Sequence, residues 1–144
     1  MPGIFVRQEL VALDRLHEHE QVRAERLAEL TQDIMLRGIL ERPIVVDVAS
    51  NVIIDGHHRY NVFKNLGLKA IPVIYADYQN DSIVILNSVV TKQQVVASGR
   101  NGHKFPPKTT LHQVKTANGL VAISELVGKI SYRVHLPANG AKPL

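Results

Sequence analysis

The sequence predicts an α/β protein, a small mixed sheet flanked by helices. Three observations carry this expectation. The β-branched runs Ile44-Val45-Val46-Asp47-Val48 and Val52-Ile53-Ile54 read as buried strands. From Val22 to Leu36 apolar residues recur at helical spacing. Strand-like and helix-like segments are interleaved along the rest of the chain, without the GxGxxG turn of a Rossmann unit.

At the N-terminus Ile4-Phe5-Val6 reads as a short strand and Leu10-Val11-Ala12-Leu13 as a second extended piece. His17-Glu18-His19-Glu20 is wholly polar and reads as a loop. In the helix that follows, Val22, Leu27, Leu30, Ile34 and Leu36 are assigned to one face, and Gly38 stops it. Pro43 introduces the first buried strand, and Ala49-Ser50-Asn51 turns into the second, making a hairpin. A helix opens at His57, turns Tyr60, Phe63 and Leu66 inward and ends at Gly67. Ala70 to Tyr75 is a strand whose Pro72 suggests an edge position or a strand start.

Ser82 to Leu86 gives a further strand, and Thr91 caps a short helix through Val95-Val96-Ala97. Gly99 to Pro107 is rich in breakers and reads as a loop. Beyond Leu120 the pattern suggests a helix about Ser124-Glu125-Leu126 and a strand about Ile130. Residues 137–144 have the composition of a disordered tail, leaving 1–136 as a single domain.

Bulk properties narrow the function classes. A chain of 144 residues can bury a sizeable core unaided. The absence of Cys excludes disulfides, thiolate metal sites and thiol nucleophiles. No apolar run is long enough to span a membrane and no signal-peptide pattern is present, so a cytoplasmic location is expected. A formal charge of +4 favours anionic partners without separating nucleic acid from nucleotide. The lack of Trp argues against a base-stacking platform.

Three clusters carry chemistry. Asp55-Gly56-His57-His58-Arg59 joins a strand to a helix start, where free backbone N–H groups can face a phosphate. His, His and Arg oppose the helix dipole there, so they are better explained by an anion than by capping. His17-Glu18-His19-Glu20 offers a carboxylate base just before a helix, or a weak divalent-metal site through His17 and His19. Phe105-Pro106-Pro107-Lys108-Thr109-Thr110-Leu111-His112 presents Lys108 and two hydroxyls from a stiffened loop, a cradle for phosphate or carboxylate.

These clusters, together with Glu41-Arg42-Pro43-Ile44-Val45-Val46, Leu66-Gly67 and Ile71-Pro72-Val73, resemble the ParB/sulfiredoxin superfamily. Within it, Asp55-Gly56-His57-His58-Arg59 and the Pro106-Pro107-Lys108-Thr109-Thr110 loop look like the free L-serine kinase branch, over roughly Leu13 to His112. The resemblance implies phosphoryl transfer from ATP or ADP to the hydroxyl of free L-serine or a similar amino acid. It implies Glu20 as the base and Asp55 as an assistant at the reacting centre or a Mg²⁺ ligand. Gly56, His57, His58 and Arg59 would hold nucleotide phosphates, and Lys108, Thr109, Thr110 and His112 the transferred phosphate and the serine. The alternative is a ParB-like nucleotide-binding or DNA-associated module without kinase activity. A sulfiredoxin-like reductase is set aside, since that chemistry needs a Cys. Leu111 stands where the kinases usually have Arg, and the chain is shorter than archaeal members of the branch.

Overall fold

A computed structural model describes residues 3–86, 89–107 and 109–136. Its central sheet has the strand order β1-β5-β3-β4. Strand β1 (Phe5–Ala12) runs antiparallel to β5 (Ala70–Ala76), which lies parallel to β3 (Ile44–Asp47). Strand β4 (Ile53–Asp55) completes the predicted hairpin with β3, and the positive φ of Asn51 makes its turn. Two further sheets pair β6 (Ile83–Ile85), β7 (His112–Thr116) and β8 (Gly119–Ala122), and β2 (Ile39–Leu40) with β9 (Tyr132–Arg133).

The continuous β-branched runs follow from a central sheet covered on both faces. Side chains alternate across a strand, so Ile44 and Val46 face one cluster and Val45 the other. The first face packs with Ile34 of α1 (Ala24–Arg37) and with Tyr60, Val62 and Phe63 of α2 (His57–Asn65). The second meets Ile83, Val114, Val95 of α3 (Lys92–Asn101) and Ile123 of α4 (Ile123–Val127). This second cluster brings the C-terminal half of the chain to the mouth of the β4–α2 turn.

Several elements differ from expectation. The two N-terminal pieces are one strand, interrupted only by an irregular register between Phe5 and Arg7. Leu36 leaves the buried face of α1 and is 84% exposed, because it lies two residues from Ile34 on a helix with a 3.6-residue period. Pro72 sits in an interior strand, and pairing of β5 with β3 begins one residue later at Val73, so it precedes that ladder. Helix α3 continues through Gly99 to Asn101; a Cβ at Gly99 would lie 2.6 Å from Val52 Cγ2, so the missing side chain permits close packing. The last strand is Tyr132–Arg133 rather than Ile130, and the β7–β8 hairpin is an addition. The predicted tail, 137–144, lies outside the described residues. No described helix is long and apolar enough to cross a membrane.

Candidate active site

Backbone pairing brings the three clusters together. His17 bridges to Val52, and the Ile53 N–H donates to the His17 carbonyl at 2.8 Å. Two residues on, the Phe105 N–H donates to the His19 carbonyl (2.8 Å) and the Gln21 N–H to the Phe105 carbonyl (2.7 Å). The stretch from His17 to Glu20 is therefore an extended segment laid between β4 and the Pro-Pro loop. It is not a solvated loop, and His19 is fully buried.

The β4–α2 turn is built for close approach. Asp55 ends β4 and Gly56, at φ +107°, is the N-cap of α2. A Cβ at Gly56 would stand 2.5 Å from Ile44 Cγ2. Gly56, as N-cap, offers no side-chain cap, and the first turn of α2 contains no acid. The positive end of the helix dipole there favours an anion.

The two imidazoles of the turn are fixed by backbone donors. His57 Nε2 accepts from the His19 N–H (3.1 Å), and His58 Nε2 accepts from the Arg23 N–H at the N-cap of α1 (2.9 Å). A neutral ring that accepts at Nε2 carries its proton on Nδ1. Burial holds His57 well below the usual imidazole range, and His19, His112, His58 and Lys104 add to the effect. Arg59 is engaged differently. Its Nη2 donates to Asp55 Oδ2 (2.9 Å), and its Nη1 donates to the carbonyls of Arg42 and Pro43, both at 3.1 Å. The guanidinium therefore ties the end of β4 to the start of β3.

A second constellation centres on Thr110. Its Oγ1 lies 2.8 Å from Glu20 Oε1 and 2.7 Å from His19 Nε2. The other nitrogen, His19 Nδ1, donates to the Ile53 carbonyl at 2.7 Å. The His19 ring packs edge-on against His57, His112 and Phe105. Burial lowers the pKa of His19 to about 4. His112 is held at about 3 by burial, with His19 contributing. His112 Nε2 pairs with the Tyr78 hydroxyl at 2.8 Å, whereas its buried Nδ1 has no hydrogen-bond partner among the described residues.

A cleft of about 230 Å³ collects Glu20, Asp55, Gly56, His57, His58, Thr110 and His112 on its walls. Leu111, Gln113, Ala122 and Ser124 also line it. Sequence reasoning did not find Gln113, Ala122 and Ser124, because they arrive through the β7–β8 hairpin and the start of α4. Thr109 turns its hydroxyl to the Pro106 carbonyl at 2.6 Å. Lys108 lies outside the described residues. Beyond Asp55 a second cleft, of about 310 Å³, holds Arg26, Arg37, Arg42 and Arg59 and shares Asp55 and Ser124 with the first. Among the described residues no group of three or more His, Asp or Glu side chains is placed to hold a metal ion, so His17 and His19 form no such site.

The ParB N-terminal domain model matches residues 6–88, more than half of the chain. The chain belongs to the ParB N-terminal domain family. Among its relatives, an ATP-dependent L-serine kinase of Staphylothermus marinus is 32% identical over 87 residues. That alignment covers 58% of this chain and 34% of the relative. A second ATP-dependent L-serine kinase, from Desulfurococcus mucosus, is 34% identical over 87 residues, with the same 58% and 34% coverage. The ParB-family chain thus spans about one third of the length of these relatives. In structure, a mutant free serine kinase in complex with ADP superposes with a TM-score of 0.70 over 88% of this chain and 96% of that one. At 15% identity this establishes the shared fold. A free serine kinase in complex with AMP, 26% identical, matches 59% of this chain and 36% of that one with a TM-score of 0.51.

Proposed function

We propose that this ParB-family protein is a nucleotide-dependent kinase that phosphorylates the hydroxyl of free L-serine or a similar small amino acid. The observation that carries the reading is that Glu20, the start of α2 and Thr110 line one cleft although they lie far apart in sequence. Its relatives named as L-serine kinases support the same reading.

Phosphoryl transfer depends mainly on positioning and charge neutralisation. The start of α2, capped by Gly56 and without an acid in its first turn, receives the phosphate to be transferred. Glu20, held by Thr110, takes the hydroxyl proton of the amino acid. The deprotonating oxygen forms the new bond to phosphorus as the bridging P–O bond to the leaving nucleotide breaks. With ATP as donor the leaving group is ADP; with ADP it is AMP. Arg59 keeps Asp55 at the edge of both clefts, and the arginine-lined second cleft lies where the remainder of the nucleotide can extend. Asp55 is the residue that would hold Mg²⁺, and one protein carboxylate plus substrate phosphates is a usual set for that ion, which neutralises phosphate charge. Thr110 and His112 line the side of the cleft assigned to the amino acid, and the kinase resemblance alone assigns Lys108 to phosphate or substrate.

The test is incubation with Mg²⁺, L-serine and either ATP or ADP, followed by detection of O-phosphoserine by mass spectrometry. Product in the native protein and none with Glu20→Gln supports the reading; no product with either nucleotide overturns the serine version. The family match and the net charge of +4 favour one other reading, a ParB-like nucleotide-binding or DNA-associated module. DNA binding that persists near physiological salt, without phosphoryl transfer, would favour it.

A further inference from the structure

The contacts of Thr110 do not close on protons if His19 is neutral and Glu20 is ionised. A backbone carbonyl only accepts, so the 2.7 Å contact from His19 Nδ1 to the Ile53 oxygen requires a proton on Nδ1. A neutral His19 then has only an acceptor at Nε2. Thr110 Oγ1 lies 2.7 Å from that acceptor and 2.8 Å from Glu20 Oε1, and one hydroxyl carries one proton. Both contacts become hydrogen bonds only when the trio holds one proton more. That proton can sit on Oε1, with Glu20 donating to Thr110 and Thr110 donating to His19. It can equally sit on Nε2, with both donations reversed.

We infer that His19 and Thr110 form a relay behind Glu20 whose hydrogen bonding is completed by the proton Glu20 removes from the substrate hydroxyl. Glu20 and Thr110 face the cleft, whereas His19 has no access to it, so His19 is a positioning residue that acts through Thr110. When the substrate oxygen loses its proton, Glu20 gains it, Oε1–H donates to Thr110, and the Thr110 hydroxyl swings fully to Nε2. No co-reactant is needed, and the proton leaves when product departs and Glu20 re-ionises to solvent. The groups around His19 are consistent with storage of the proton on Glu20. His57 packs edge-on with ring centroids 4.6 Å away, and His112 at 6.0 Å, so a charged His19 would lie between two other imidazoles. Glu20 is the acid nearest it, with 4.0 Å between Oε1 and Nε2.

The role as catalytic base rests on the kinase reading, but the proton coupling does not. It is tested on the ligand-free protein by NMR, following the Glu20 carboxyl carbon and the His19 ring nitrogens across pH. His19→Gln places an amide donor where Nε2 stood, so Thr110 donates to Glu20 permanently and the carboxylate is favoured. The Glu20 midpoint should fall by about one pH unit, about tenfold in proton affinity, in the Thr110 background. It should be little changed by the same substitution in a Thr110→Val background. Should His19→Gln not fold, the native protein and the near-isosteric Thr110→Val decide the question alone. The His19 Nε2 resonance follows Glu20 titration in the native protein and in Thr110→Ser, and is flat in Thr110→Val. A Glu20 midpoint unmoved by His19→Gln, or a Nε2 resonance indifferent to Glu20, overturns the relay. Absence of phosphoserine in the activity assay would instead remove the kinase reading and leave this result standing.

Discussion

Replacing Gly56 by Ala should destabilise the protein markedly, because two independent costs meet at one atom. The residue sits at φ +107°, a backbone region unfavourable to any side chain, worth about 1–3 kcal/mol. The added Cβ would also lie 2.5 Å from Ile44 Cγ2 and 2.8 Å from Ile44 Cβ, far inside normal contact. Ile44 is fully buried in the middle of the sheet, so it has no room to retreat. Relieving such an overlap by shifting backbone costs about 1–3 kcal/mol. Together these remove about 2–6 kcal/mol from a total stability of order 5–15 kcal/mol. For a chain of this size that lowers the melting temperature by about 5–20 °C. Gly102 provides the internal control: its φ is +77°, but a Cβ there meets nothing within 4 Å. Gly102→Ala should therefore cost only the backbone part. Thermal unfolding followed by circular dichroism reads both variants. Equal midpoints for the two would show that the β4–α2 turn is not packed as described.

Other consequences can be measured on the same preparation. Arg59→Lys should lower the melting temperature by several degrees, since one ammonium cannot serve Asp55 and two carbonyls as the planar guanidinium does. An unchanged midpoint would mean that those bonds contribute nothing. The buried imidazoles set an acid limit: His19 is held at about 4 and His112 at about 3, both below the ordinary value of about 6.5. The unfolded chain binds these protons first, so stability is full above about pH 7, falls below about pH 6.5, and levels off for these two groups only near their folded values. His112→Gln should flatten that slope by about one proton, and an identical slope in the variant would contradict the assignment.

How much of this was legible in the sequence depended on how local the signal was. The β4–α2 turn is encoded by contiguous residues, a β-branched run ending in Asp55-Gly56 and a helix with apolar Tyr60 and Phe63, so its geometry was readable. The capping box of α3, with Thr91 and Gln94 bonded reciprocally, was half-read from Thr91 alone. The β7–β8 hairpin carried a readable signal too. His112 and Val114 alternate inward with outward Lys115, and Asn118-Gly119 is a turn pair. With only one aliphatic residue on its inward face, the strand signal is weak. The burial of His19 was not legible, because nothing within its polar neighbourhood distinguishes it from Glu18 or Glu20. Its environment comes from Ile53, His57, Phe105 and Thr110, each more than 30 residues away. The same holds for the bonds from Arg59 to the carbonyls of Arg42 and Pro43, whose residues lie 17 and 16 positions away.

The central claim, that three remote stretches surround one anion-binding cleft, is tested most directly by titrating the ¹⁵N-labelled protein with Mg²⁺ and ADP. The backbone amides of His57, His58 and Arg59 should shift together with those of Glu20, Gln21, Thr110 and Leu111, following a single binding curve. Shifts confined to residues away from this cleft, such as the β2–β9 pair, would contradict the account.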